Sequence, residues 1–179
     1  KIYLEEHPDT KIHVIDSLSA GGEVDLLVRK LNHLVAEGLD FDQVLDAITA
    51  YQAKTKLLFV LAKVDNLVKN GRLSKLVGTV VGLLNIRMVG EASKTGTLEL
   101  LQKARGQKKA IKAAFDELIK AGYTGGHITI AHRNNDKFIE QFSELIREKF
   151  AQASIEVLPT SGLCSFYAEE GGLLMGYEI

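Results

Sequence analysis

The run KLLFVL, Lys56 to Leu61, constrains the fold more than any other stretch. Leu57 to Leu61 are apolar without a break, so an extended strand here must be covered on both faces. That property is expected of a parallel sheet sandwiched between helices. Upstream, KIHVID (Lys11 to Asp16) is a short β-rich run ending in polar residues and predicts another strand. The loop SLSAGG (Ser17 to Gly22) follows it. From Glu23 to Glu37, Val24, Leu27, Val28, Leu31, Leu34 and Val35 recur at three and four, which predicts a helix closed by Gly38. Asp40 then caps a second helix to about Ala53, with Phe41, Val44, Leu45 and Ile48 as its core face. The order strand, helix, helix, strand is α/β.

Beyond Val64 the pattern changes. VDNLVK predicts a short helix, Ile86 to Val89 a strand, and the turn Ser93-Lys94-Thr95-Gly96 a hairpin back through Thr97 to Leu101. A long helix spans about Gln107 to Ala121, capped by Gly122. HITIAH (His127 to His132) is a strand, Asp136 to Ala151 a helix, SIEVL (Ser154 to Leu158) a strand, and GGLLMGYEI a last strand. The expected architecture is two lobes: a partial parallel-sheet α/β lobe, then a two-layer mixed-sheet α/β lobe, with the boundary in residues 62–73.

Composition narrows the function classes. A chain of 179 residues that is 46% apolar can build a core, and its net charge of -1 argues against nucleic acid or an anionic membrane as the main partner. The apolar runs are far shorter than a membrane span. Cys164 is the one cysteine, so an internal disulfide is excluded and a reducing cytoplasm is the default. It reads as a small buried hydrophobe. The phosphate-loop, dinucleotide, zinc-protease and nucleophile-elbow signatures are absent. The five histidines lack metal-ligand spacing, and His127 and His132, five apart on one strand, point to opposite faces. Nothing calls for a cofactor or a metal. One basic cluster stands out, KARGQKKAIK (Lys103 to Lys112), whose cations oppose the dipole of the helix they open. It is either a solvated helix start or a source of positive potential for an anionic partner.

The segment NGRLSKLVGTVVGLLNI (Asn70 to Ile86) sets an arginine at the mouth of an apolar, glycine-bearing stretch. Two helical glycines cost about 1 kcal/mol each relative to alanine, so a neighbour must approach the backbone closely. Arg72 sits where the polar turn meets that stretch, and arginine is suited to hold a carboxylate or phosphate beside an apolar pocket.

These residues, taken in order, resemble the DegV family. Asp16-Ser17 matches its aspartate-serine strand end; Leu67, Gly71, Arg72 and Leu73 match a leucine helix leading into a glycine-arginine step. Leu84, Asn85 and Ile86 match a leucine-asparagine-isoleucine exit, and LQKARGQKKAI follows in its expected place. The resemblance implies that residues 1–67 are the end of a first lobe and 68–179 a second. It also implies a bacterial cytoplasmic protein, not itself an enzyme, that binds a long-chain fatty acid between the lobes and presents the carboxylate to a fatty acid kinase. An acid of roughly C16–C18 would bury about 14 methylenes at about 0.8 kcal/mol each.

On that reading Arg72, Tyr167, Arg105 and Ser17 lie near the head group, and Val77, Gly78, Val81, Gly82, Leu84 and Ile86 line the acyl tunnel. Tyr167 holds the place where relatives often have histidine, and it can donate one hydrogen bond without bringing positive charge at neutral pH. Arg87-Met88 replaces a common lysine-proline. The family's two hydroxyl-rich carboxylate loops are expected upstream of Lys1, so the chain reads as truncated at its N-terminus. The alternatives are an α/β enzyme whose catalytic residues lie in that missing part, or a structural interaction domain.

Overall fold

The computed structural model describes residues 2–73 and 85–179. Helix α1 (Ile2–Glu6) precedes α2 (Gly22–Ala36) and α3 (Phe41–Gln52), which lead to β1 (Thr55–Leu61) and α4 (Asp65–Lys69). The hairpin β2 (Ile86–Ala92) and β3 (Leu98–Arg105) is followed by α5 (Gln107–Lys120), β4 (His127–His132) and α6 (Asp136–Lys149). The chain ends with β5 (Ser154–Pro159), α7 (Gly162–Ala168) and β6 (Leu173–Glu178). The six strands form one mixed sheet, ordered β3-β2-β1-β6-β4-β5.

β1 is buried on both faces, as its unbroken apolar run requires. Leu58 and Val60 enter a core with α5 and α6, built around Leu118, Phe138, Phe142 and Ile146. Leu57, Phe59 and Leu61 point the other way, toward Leu67 of α4 and Ala168 of α7. The expected parallel neighbours are corrected: β1 runs antiparallel to both β2 and β6, and among the described strands only β4 and β5 are parallel. The run encodes two covered faces, whereas strand direction is set by the connections. A boundary at residues 67 and 68 falls within α4, and β1 on its upstream side pairs with β2 and β6 downstream.

Helices α2 and α3 form where their patterns place them. Asp40 accepts from Gln43 N at 2.9 Å while Gln43 Oε1 accepts from Asp40 N at 3.0 Å, a reciprocal capping box. Leu27, Leu34 and Ile48 form the core between the two helices, but Phe41, expected on that face, is exposed. Gly22 and Gly176 seat α2 on the sheet. A Cβ on Gly176 would lie 2.2 Å from Glu23 N, and one on Gly22 would lie 2.1 Å from Thr129 O. Backbone rests directly on backbone, which no side chain permits.

One local expectation fails, and one helix was not anticipated. Lys11–Asp16 is no strand: Val14 is 81% exposed, and the segment is tethered to α3 by Gln52 Nε2 on Asp16 O at 2.7 Å and by Lys11 on Asp42. A β-rich composition makes a strand only where an edge accepts it, and among the described residues this segment joins no sheet edge. Residues 162–168, left unassigned by the periodicity, form α7.

Candidate functional site

Among the described residues, side chains do not fully cover the face of β1 away from α5 and α6. Leu57, Phe59 and Leu61, two apart, floor a cavity of about 520 Å³. Leu67 and Arg72 close it from α4 and the turn after it, Leu163, Cys164, Tyr167 and Ala168 from α7, and Leu174 from β6. Beyond Leu57, which adjoins Ala92, the far end is closed by Leu18–Ala20 and the hairpin tip at Gly96 and Thr97. The volume falls within the range of small-molecule pockets, about 300–1,000 Å³. Among its described lining residues Arg72 carries the one formal charge.

Local backbone chemistry puts Arg72 there. Gly71, at φ 68°, follows the C-terminus of α4; its N–H donates to Val68 O at 3.1 Å, and Arg72 N–H donates to Leu67 O at 2.9 Å. These two bonds are a Schellman motif, which asks for glycine at the left-handed position and turns the chain back across the helix end. The glycine-arginine step is therefore a cap followed by the residue that the cap aims. Helix α7 is locked to α4 at its other end. Asn66 N–H donates to Glu169 Oε1 at 2.9 Å, and Asn66 Nδ2 to Phe166 O at 2.8 Å. Arg72 and Tyr167 meet as a result. Arg72 Nε donates to Tyr167 Oη at 3.0 Å, with the guanidinium carbon 5.1 Å from the ring centroid. Because the phenolic oxygen accepts from arginine, its own hydrogen remains to be donated to an anion. The guanidinium is exposed, and among the described residues its other N–H groups have no hydrogen-bond partner.

The far end is polar in a different way. Ser19 Oγ donates to Glu23 Oε2, and Glu23 Oε1 accepts from Thr55 Oγ1 at 2.8 Å. The buried Glu23 thus takes the hydroxyl hydrogen of Ser19, a serine that lines the cavity. Ser17 does not line it; its oxygen accepts from Ser19 N at 3.3 Å and shapes the loop.

The site residues anticipated from the sequence divide accordingly. Arg72 and Tyr167 come together at the cavity. Ser17 stands behind the opposite end, and Arg105 is exposed at the end of β3, paired in register with Ile86. Neither Arg105 nor Ile86 lines the cavity. Val77, Gly78, Val81, Gly82 and Leu84 lie outside the described residues. Phe59, Leu174 and Leu18 were missed, although period two along Leu57, Phe59 and Leu61 was available as a signal. Cys164 is half-buried in the cavity wall. Arg87 faces the opposite side of the sheet from Met88, and burial holds its guanidinium below the usual arginine range. His127 and His132, at the two ends of β4, are also outside the cavity. Among the described residues no cluster of His, Cys, Asp or Glu could hold a metal, and no helix is long and apolar enough to cross a membrane.

A family model described as an uncharacterised protein of the DegV family matches residues 1–177. The chain belongs to the DegV family. A DegV domain-containing protein of Streptococcus pneumoniae is 79% identical over 178 residues, covering 99% of this chain and 63% of the relative. Among solved structures, the Streptococcus pneumoniae fatty acid kinase (Fak) B3 protein loaded with linoleic acid matches with TM-score 0.97 at 79% identity. That match covers 99% of this chain and 63% of the other. A DegV protein from Eubacterium eligens loaded with heptadecanoic acid matches with TM-score 0.95 at 38% identity, over 99% of this chain and 64% of that one. The chain thus spans 63–64% of the length of these relatives.

Proposed function

We propose that this DegV chain serves as a cytoplasmic carrier that holds a long-chain fatty acid in the β1 cavity and presents its carboxylate, at Arg72 and Tyr167, to a fatty acid kinase. The observation that carries the proposal is the cavity itself: an apolar floor with an arginine-tyrosine pair on its wall. An acyl chain fills the apolar part, and the pair supplies what a desolvated carboxylate needs, a charge-assisted hydrogen bond and a cation. The exposed guanidinium leaves the carboxylate within reach of a partner. Relatives with fatty acids bound, one of them a fatty acid kinase B protein at 79% identity, support the same reading.

Energetics permit binding. Burying about 14 methylenes returns roughly 11 kcal/mol gross. Association and ordering cost about 4 kcal/mol or more, which leaves at most about 7 kcal/mol, a dissociation constant of roughly 10 μM, to which the head-group bonds add. The chain acts by binding rather than by catalysis. Titrating the intact protein with a fluorescent fatty acid tests the proposal. Saturable binding that hexadecanoic acid displaces is expected, and absence of saturation up to millimolar acid would refute it.

A further inference from the structure

Phe59 lies midway along the cavity floor, bracketed in register by Gly90 of β2 and Leu174 of β6. Its ring does not stand in open space. A Cβ on Gly90 would lie 2.3 Å from Phe59 Cζ and 2.8 Å from Cε2, so the tip of the ring occupies the place of a side chain at position 90. The ring is laid down across β2. A register shift between Val89 and Gly90 brings the Glu99 carbonyl 2.2 Å from the same point, so the slot has no spare room. With the ring down, the cavity continues from Leu61 past Phe59 to Leu57. With the ring upright it would be divided at its midpoint.

We propose that Gly90 is a specificity-determining position: by receiving the Phe59 ring it keeps the cavity open past its middle and so sets the length of acyl chain accepted. Gly90 does not itself line the cavity and acts through Phe59. The inference rests on the acyl-carrier reading above. Its test compares the intact wild-type protein with Gly90→Ala, Phe59→Leu and the double variant. Decanoic and hexadecanoic acids displace a fluorescent fatty acid, and thermal unfolding is followed in parallel. In Gly90→Ala the longer acid loses at least about tenfold in affinity relative to the shorter, because each methylene expelled is worth about fourfold and two already exceed that loss. The double variant regains most of that loss, since leucine has no ring tip to displace. Damage through the Glu99 carbonyl would persist in the double variant, so the rescue separates the two effects.

An unchanged ratio of the two acids in folded Gly90→Ala, or a double variant no better than the single, overturns the inference. Should Gly90→Ala not fold, Phe59→Trp overfills the same slot. The same relative loss of the longer acid is then expected, and an unchanged ratio is equally decisive. A wild-type protein that binds neither acid would instead overturn the carrier reading.

Discussion

Tyr167→Phe isolates one oxygen atom. Phenylalanine keeps the ring beneath the Arg72 guanidinium, 5.1 Å from its centroid, and keeps the edge contact with Phe166, also at 5.1 Å. What disappears is Oη, the 3.0 Å acceptor of Arg72 Nε and the donor aimed at a bound carboxylate. In the free protein the cost is small, about 0.5 kcal/mol, because the exposed Arg72 turns its N–H to water. At this chain length that lowers the melting temperature by about 1–2 °C. In the complex the variant loses a hydrogen bond to a charged group, about 1.5–3 kcal/mol, or about ten- to hundredfold in affinity. Displacement titration of both proteins with hexadecanoic acid and hexadecanol, alongside thermal unfolding, reads the two quantities separately. The alcohol carries no charge and should distinguish the proteins far less than the acid does. Equal affinities of the two proteins for the acid would refute the reasoning. So would an equal loss for acid and alcohol, which would make Tyr167 a packing residue.

Three further outcomes follow from the fold. Gly176→Ala, whose Cβ would meet Glu23 N at 2.2 Å, should lower stability by about 3 kcal/mol in urea unfolding; a loss under about 1 kcal/mol would contradict the contact between α2 and the sheet. Tyr177 is fully buried and its hydroxyl has no hydrogen-bond partner among the described residues, so Tyr177→Phe should leave stability unchanged or raise it by about 1 kcal/mol, and a clear loss in urea unfolding would show a missing partner. Burial, and then Glu178, push the Tyr123 hydroxyl up to about 12, and burial also raises Tyr51 and Tyr177. An unfolded tyrosine ionises near 10, so above that pH the folded state holds more protons than the unfolded one. Stability is therefore complete below about pH 10 and falls as pH rises through about 12; a urea midpoint that stays flat over that range would contradict this.

Local chemistry was the legible part of this chain. Asp40 with Gln43 announces a helix start, the repeat from Val24 to Val35 announces α2, and HITIAH carries its own strand limits. What depends on distant partners was hidden. Nothing within KLLFVL tells an antiparallel neighbour from a parallel one, since both bury the same faces. KIHVID has strand composition but no edge to join among the described residues. Helix α7 is seven residues that begin with Gly162 and stop before a left-handed Glu169, too short for its period to emerge. The cavity is assembled from Leu18, Phe59, Gly96, Tyr167 and Leu174, which only the sheet order brings together. Arg72 could be found because Gly71 marks its turn. Tyr167 was found by resemblance alone, and its bond to Arg72 became visible only once α4 and α7 were in place.

The central claim is that the cavity beside β1 holds a free fatty acid. Organic-solvent extraction of the purified intact protein, followed by quantitative mass spectrometry of the extract, addresses it most directly. The account predicts about one long-chain fatty acid per protein molecule, roughly C16–C18, consistent with burial of about 14 methylenes. An extract from folded protein with no fatty acid above the buffer background, together with no uptake on incubation with hexadecanoic acid, would contradict it.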